Sequence, residues 1–257
     1  MADRFAVVTG ASTGIGYELA RRAAEDGYTL LICADEPAIE EAAGKLRRLG
    51  ASVEAFVTDL ATTGGFEALW DRIGEREIDL FFANAGRALG HAFYEQDWTD
   101  IQRRIDLNTV QTTLALHRVG QKMARRGEGR ILVTGSLGGF VPGPFDGVYN
   151  ATKAYLDSLC YALQDEWKGN GVTLTCLMPG PTETPIFTRG QNRLRDAPIT
   201  DHQKDDPAEV ARAGYDAMMA GERGVVPGFA SKVITMLSGV VPESVKARIH
   251  RWGAEPE

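Results

Sequence analysis

Short apolar runs recur along the chain at regular intervals: Phe5 to Val8, Thr29 to Cys33, Val53 to Val57, Leu80 to Ala83, Ile131 to Val133 and Val172 to Leu177. They lack strict apolar/polar alternation, which is how strands covered on both faces read. Helical spacing fills the gaps, as in Ile15 to Glu25, Val110 to Gly127, Val148 to Lys168 and Ala208 to Ala220. Strands alternating with helices of this length predict parallel pairing through right-handed crossovers. The expected fold is therefore α/β: a single doubly wound Rossmann domain over residues 1–257, its mostly parallel seven-stranded sheet flanked by helices on both faces.

Glycine at Gly127 and Gly129 marks the end of one long helix. The stretch from Pro185 to Pro207 breaks the rhythm, because Pro, Gly, Asn, Arg and Asp crowd together there after the sixth strand. A loop of that length at a strand's carboxyl end is expected to act as a substrate lid over residues 185–207.

Composition narrows the class. With 44% hydrophobic and 25% charged residues in 257, the chain suits one large covered-sheet domain. Its net charge of −7 lacks the basic excess of a nucleic-acid partner, and the pairs Arg103-Arg104 and Arg125-Arg126 read as solvated helix faces. Cys33, Cys160 and Cys176 are scattered singly in apolar segments and read as core filler. The four histidines show no ligand spacing, so no metal is expected. The N-terminus reads as having no signal peptide and no apolar run is long enough to span a membrane, so a cytoplasmic protein is expected.

Chemistry concentrates in two places. Thr9 to Gly16 reads T-G-A-S-T-G-I-G, directly after the first apolar run and before the first helical one. Glycines where a strand turns into a helix leave room for a dinucleotide's pyrophosphate on the helix N-terminus. Tyr149 and Lys153 stand four apart, hence on one helix face, thirteen residues beyond Ser136. Taken singly, Ser136 could be a turn residue, Tyr149 a core aromatic and Lys153 a solvated charge. Asn108 could bind local backbone.

Taken together, these motifs resemble the short-chain dehydrogenase/reductase family, in its compact branch of about 250 residues, over roughly positions 5 to 185. The glycine signature stands at Thr9 to Gly16, giving Gly10, Ser12, Thr13, Gly14, Ile15 and Gly16 as cofactor-binding candidates. Asp59 and Leu60 match the family's adenine-binding position after strand three. Asn84, Ala85 and Gly86 match its N-N-A-G segment, in which Ala83 replaces the first Asn and removes one structural hydrogen bond. Asn108, Ser136, Tyr149 and Lys153 match the catalytic tetrad. Pro179 and Gly180 match the segment after strand six. Thr184 falls where the family touches the nicotinamide carboxamide, with Thr182 as the alternative. The resemblance also implies that Lys153 binds the nicotinamide ribose, that Asn108 holds a relay water, and that the protein is a homodimer or homotetramer.

Oxidising an alcohol carbon requires its hydroxyl proton to leave with the hydride, which calls for a positioned base. A lysine ammonium about 4 Å from a phenol would favour the phenolate by roughly 4 kcal/mol, or about three pKa units, before desolvation opposes it. Tyr149 is thus expected as general acid/base, with Ser136 donating to the substrate oxygen. Asp35 lies nineteen residues beyond Gly16, the place for a carboxylate on a ribose 2′-OH, although it could also cap the helix starting near Pro37. Asp35, Glu36 and the neutral Thr13 together predict NAD rather than NADP.

The expected function is an NAD(P)-dependent oxidoreductase that prefers NAD and interconverts a secondary alcohol and a ketone. Its small-molecule substrate is expected to be hydrophobic or amphipathic, from Phe140, Val141 and Phe145 after Ser136 and from Ile186 and Phe187 in the lid. The alternative is a non-catalytic nucleotide-binding regulatory protein on the same fold.

Overall fold

The computed structural model describes residues 4–88, 90–184, 204–228 and 243–254. Seven strands, β1 (Phe5–Thr9), β2 (Thr29–Ala34), β3 (Val53–Val57), β4 (Leu80–Ala83), β5 (Gly129–Thr134), β6 (Val172–Leu177) and β7 (Gly224–Val225), form one sheet in the order β3-β2-β1-β4-β5-β6-β7. Every pairing is parallel. The six apolar runs of the sequence are strands in place, whereas β7 is only two residues long and carries no such run.

Alternate residues of each strand face opposite layers. Phe5 and Val7 of β1 pack with Leu31, Cys33, Phe81 and Ile131 toward one face. That face is covered by α3 (Thr63–Ile73), α5 (Thr112–Arg126) and α6 (Gly147–Glu166), through Leu69, Leu116, Val119 and Leu156. Ala6 and Val8 point the other way, against α1 (Gly14–Glu25), α2 (Ala38–Arg47) and α7 (Pro207–Ala220), through Leu19, Ile39, Leu46 and Tyr215. Both faces of β1, β2, β4, β5 and β6 are buried, which explains the missing alternation in those runs, while the edge strand β3 is only half-buried. All three cysteines are buried and unpaired in these layers.

Helix boundaries follow local chemistry. Thr62 caps α3 by accepting from the Gly65 amide at 3.0 Å. Asp97 does the same for α4 (Trp98–Ile105), and Asp206 for α7, where Pro207 fills the first turn. Helix α5 stops at Gly127, whose φ of 77° is the left-handed stop expected there. Helix α8 (Glu243–Ala254) closes the described chain. The expected lid at 185–207 lies outside the described residues except for 204–207, and so do Ile186 and Phe187. Among the described residues no helix is long and apolar enough to cross a membrane.

The chain winds outward from β1 to β3 and then returns to place β4 on the other side of β1. The carboxyl ends of β1 and β4 therefore bound the crevice where doubly wound sheets take their ligands.

Candidate active site

The glycine loop leaves β1 at Gly10, whose φ is +67°. A Cβ at Gly16 would lie 2.2 Å from the Gly10 carbonyl oxygen and 2.4 Å from Asn84 Nδ2, so only glycine lets α1 enter this close to the sheet. Thr13 stands at the N-cap of α1 but makes no side-chain cap bond, and the first turn carries no acidic residue. The unused amides and positive end of α1 therefore face the crevice, a fit for a dinucleotide pyrophosphate.

Asn84 ties this loop to the sheet. Its Nδ2 donates to the Thr9 and Gly10 carbonyls, both at 3.2 Å, and its Oδ1 accepts from Thr134 Oγ1 at 3.0 Å. Thr9 Oγ1 in turn accepts from the Asn84 and Ala85 amides. The central strands are thus crosslinked although Ala83 stands where an asparagine was expected.

The expected tetrad converges at the carboxyl end of β5. Ser136 is half-buried and caps the 3₁₀ turn Leu137–Phe140 by accepting from the Gly138 amide at 3.0 Å, which leaves its hydroxyl proton free to donate. Ser136 favours the ionised form of the Tyr149 phenol, as a hydrogen-bond donor does. On α6, Lys153 lies one turn beyond Tyr149, its Nζ 5.7 Å from the phenol ring centroid and 2.6 Å from the Thr134 carbonyl. Gly86 lies beside them: a Cβ there would come within 3.3 Å of Asn108 Oδ1 and 3.5 Å of Lys153 Nζ.

Electrostatics differ from the sequence-based expectation. Burial pushes the Tyr149 phenol up to about 12, against the lowering effect of Ser136. The ammonium was expected to lower it by about three units before desolvation opposed it. Lys153 is instead turned to the Thr134 carbonyl, and burial pulls its own pKa down to about 8, with Asp157 opposing. Asp157, one turn further along α6, is a buried carboxyl absent from the expected site. It accepts from the Cys176 thiol at 3.3 Å, and burial raises it to about 6. The helical period that paired Tyr149 with Lys153 extends to Asp157 and could have found it.

Asn108 lies in a π-helical turn, Asp106–Gln111, and is 1% exposed. Its Oδ1 accepts from the Arg87 amide at 3.1 Å, and its Nδ2 donates to the Arg87 carbonyl at 3.1 Å and to Thr152 Oγ1 at 3.0 Å. The side-chain amide is committed to protein partners and braces the loop after β4 against α6.

Beyond β6, the Pro179 carbonyl accepts from the Leu137 amide at 3.0 Å, joining this loop to the Ser136 turn. Thr182 is buried and spends its hydroxyl on the Gly180 carbonyl at 2.9 Å. Thr184 reaches the glycine loop, since a Cβ on Gly14 would meet its methyl at 2.9 Å. Of the two threonines, Thr184 is thus the one at the crevice.

On the adenosine side, Asp35 does not cap α2, whose N-cap is Pro37. It forms an ion pair with Arg87. Glu36 accepts from Ser12 Oγ at 2.5 Å. Asp59 accepts from the Ala61 amide and pairs with Arg103 at 2.8 Å. Of the two arginines expected on a solvated face, Arg103 keeps a 41% exposed side chain that pairs with Asp59, whereas the expectation is corrected for Arg104, which is 6% exposed with its Nη1 3.0 Å from Asp100. Arg126 also bonds inward, to Asp79 at 3.0 Å, while Arg125 is exposed.

A second wall follows Ser136. Phe140 packs against the core, and Phe145 holds a φ of 69° with the Arg251 guanidinium 5.7 Å from its ring centroid. Lys246 Nζ donates to the Phe140 carbonyl at 3.3 Å. Helix α8 therefore braces the 140–145 segment. Among the described residues no cluster of metal-ligating side chains occurs.

A family model described as short chain dehydrogenase matches residues 4–194. Human 17-beta-hydroxysteroid dehydrogenase type 1 is 34% identical over 196 residues, covering 74% of this chain and 60% of that protein's length. A solved short-chain dehydrogenase from Sphingobium yanoikuyae in complex with NADPH superposes with a TM-score of 0.82 at 28% identity, covering 93% of this chain and 96% of that one. The bulky-bulky ketone specific alcohol dehydrogenase from Comamonas testosteroni gives 0.79 at 25% identity, covering 95% and 97%.

Proposed function

This chain belongs to the short-chain dehydrogenase family of oxidoreductases, and on that premise we propose that it interconverts a secondary alcohol and a ketone with NAD(P), using Tyr149 as general acid/base. The observation that carries this reading is the convergence of Ser136, Tyr149 and Lys153 beside the open N-terminus of α1.

The dinucleotide, when bound, supplies the hydride donor or acceptor. Gly10, Ser12, Thr13, Gly14, Ile15 and Gly16 would hold its pyrophosphate. Asp35, Asp59, Leu60 and the Asn84-Ala85-Gly86 segment would flank its adenosine half, while Pro179, Gly180, Thr182 and Thr184 would border the nicotinamide end. In ketone reduction, the phenol at about 12 is held protonated at neutral pH, ready to give its proton to the developing alkoxide. Ser136 donates a second hydrogen bond to the same oxygen. Lys153, at about 8, remains largely charged at pH 7, one turn along α6 from Tyr149. Asn108 enters as a positioning residue through its bonds to Arg87 and Thr152.

NAD(H) is proposed as the preferred coenzyme because the carboxylates Asp35 and Glu36 follow β2 and Thr13 is uncharged. The proposed substrate is hydrophobic or amphipathic, supported by Phe140, Val141 and Phe145 beside Ser136 and by the bulky ketones of the Comamonas relative. Self-association as a homodimer or homotetramer is supported by Trp98, Tyr155 and Tyr161, exposed on α4 and α6.

A panel of alcohols and ketones followed by nicotinamide absorbance tests the reading. Turnover of bulky ketones that disappears in Tyr149→Phe is the expected result, and a purified protein that binds nucleotide but turns over none of the panel would overturn it.

A further inference from the structure

The carboxylate that should reject a 2′-phosphate is already occupied. Asp35 follows β2 and Arg87 follows β4, and in the strand order β1 stands between them. Two strand spacings, about 10 Å, separate the two strand ends. The Arg87 side chain therefore crosses the end of β1, over the start of the glycine loop, to reach Asp35.

The base of Arg87 is fixed. Its amide and carbonyl are both bonded to the buried amide of Asn108 at 3.1 Å, so the guanidinium can swing while the backbone stays. Its side chain is 34% exposed and that of Asp35 30%, which leaves the pair open to solvent and to a ligand entering the crevice. Nearby, Ser12 bonds Glu36 and Arg103 neutralises Asp59. The adenosine half-site therefore holds two guanidiniums among its three carboxylates, and is far less acidic than Asp35, Glu36 and Thr13 make it look in sequence.

We infer that Arg87 is a specificity-determining residue: it screens Asp35 when the nucleotide carries a ribose 2′-OH, and turns its guanidinium onto the 2′-phosphate when the nucleotide is NADP(H), so that both coenzymes bind. Arginine suits this exchange because its planar fork binds carboxylate and phosphate oxygens alike. The inference rests on the nucleotide-binding part of the proposed function and leaves the identity of the alcohol open.

Equilibrium titration of NADH and NADPH, read by nicotinamide fluorescence, tests it on the full chain. For Arg87→Ala, loss of a charge-assisted phosphate contact should weaken NADPH about tenfold or more while NADH changes by less than about threefold. Arg87→Lys should recover part of the NADPH loss, and Asp35→Asn should strengthen NADPH binding. Equal weakening of both coenzymes by Arg87→Ala, in a protein with an unchanged melting curve, would show that Arg87 touches only what they share and would overturn the inference. An unchanged NADH/NADPH ratio would do the same. Failure of the unmodified protein to bind either coenzyme would instead remove the functional reading and the inference with it.

Discussion

Replacing Asn84 with Ala removes the side chain that joins the glycine loop to β4 and β5. Three hydrogen bonds go: two from Nδ2 to the Thr9 and Gly10 carbonyls and one from Thr134 Oγ1 to Oδ1. A hydrogen bond of this kind contributes about 1 kcal/mol net, so the loss should be about 3 kcal/mol, with the abandoned carbonyls keeping it from being much less. For a protein of this size that corresponds to a fall in Tm of about 6–12 °C. Urea denaturation followed by circular dichroism reads the free energy directly, with an unchanged slope indicating that the denatured state is the same. Asn84→Asp is the companion variant: it keeps the acceptor for Thr134 but turns a carboxylate oxygen toward two carbonyl oxygens, and should destabilise at least as much. Both variants should also weaken NADH, because Gly10 would lose one of its anchors to the sheet. An Asn84→Ala protein within about 0.5 kcal/mol of wild type would refute the reasoning, since it would mean that water replaces all three bonds at no cost.

Tyr149→Phe should keep the fold and NADH affinity but lose about 10²-fold or more in kcat, measured with whichever ketone turns over fastest, because only the proton-transfer group is removed. Gly16→Ala should lose nucleotide binding and soluble yield together, as its Cβ would sit 2.2 Å from the Gly10 carbonyl oxygen, a clash read by titration and by thermal melting. Lys153 is held at about 8, below its ordinary value of 10.5, so the unfolded chain binds the extra proton between these values. The penalty for burying the ammonium is thus complete below about pH 8 and fades as the pH rises toward 10.5. Lys153→Met should gain stability relative to wild type at pH 7, with the gap narrowing by about pH 9.5 in urea titrations.

Much of this molecule could be read in one dimension. The apolar runs mark six of the strands, five of them because a strand buried on both faces needs continuous apolar residues, a local demand, while β3 lies half-buried at the sheet edge. Gly10, Gly14 and Gly16 mark the nucleotide loop because their requirement is backbone space, met by residue type alone. Tyr149 and Lys153 are legible for a similar reason: four residues along a helix place them together whatever surrounds it. What tertiary structure decided is which distant groups meet and how dry they become. Arg87 reaches Asp35 across 52 residues of sequence because the strand order sets β1 between β2 and β4, and Arg103 reaches Asp59 across 44. The spacing of Asp35 from the glycine loop contains no sign of that partner. The direction of the Tyr149 shift was hidden likewise. A pKa is the balance of desolvation against nearby charge, and both depend on burial and on the Thr134 carbonyl that draws Lys153 away, which only the packed chain supplies.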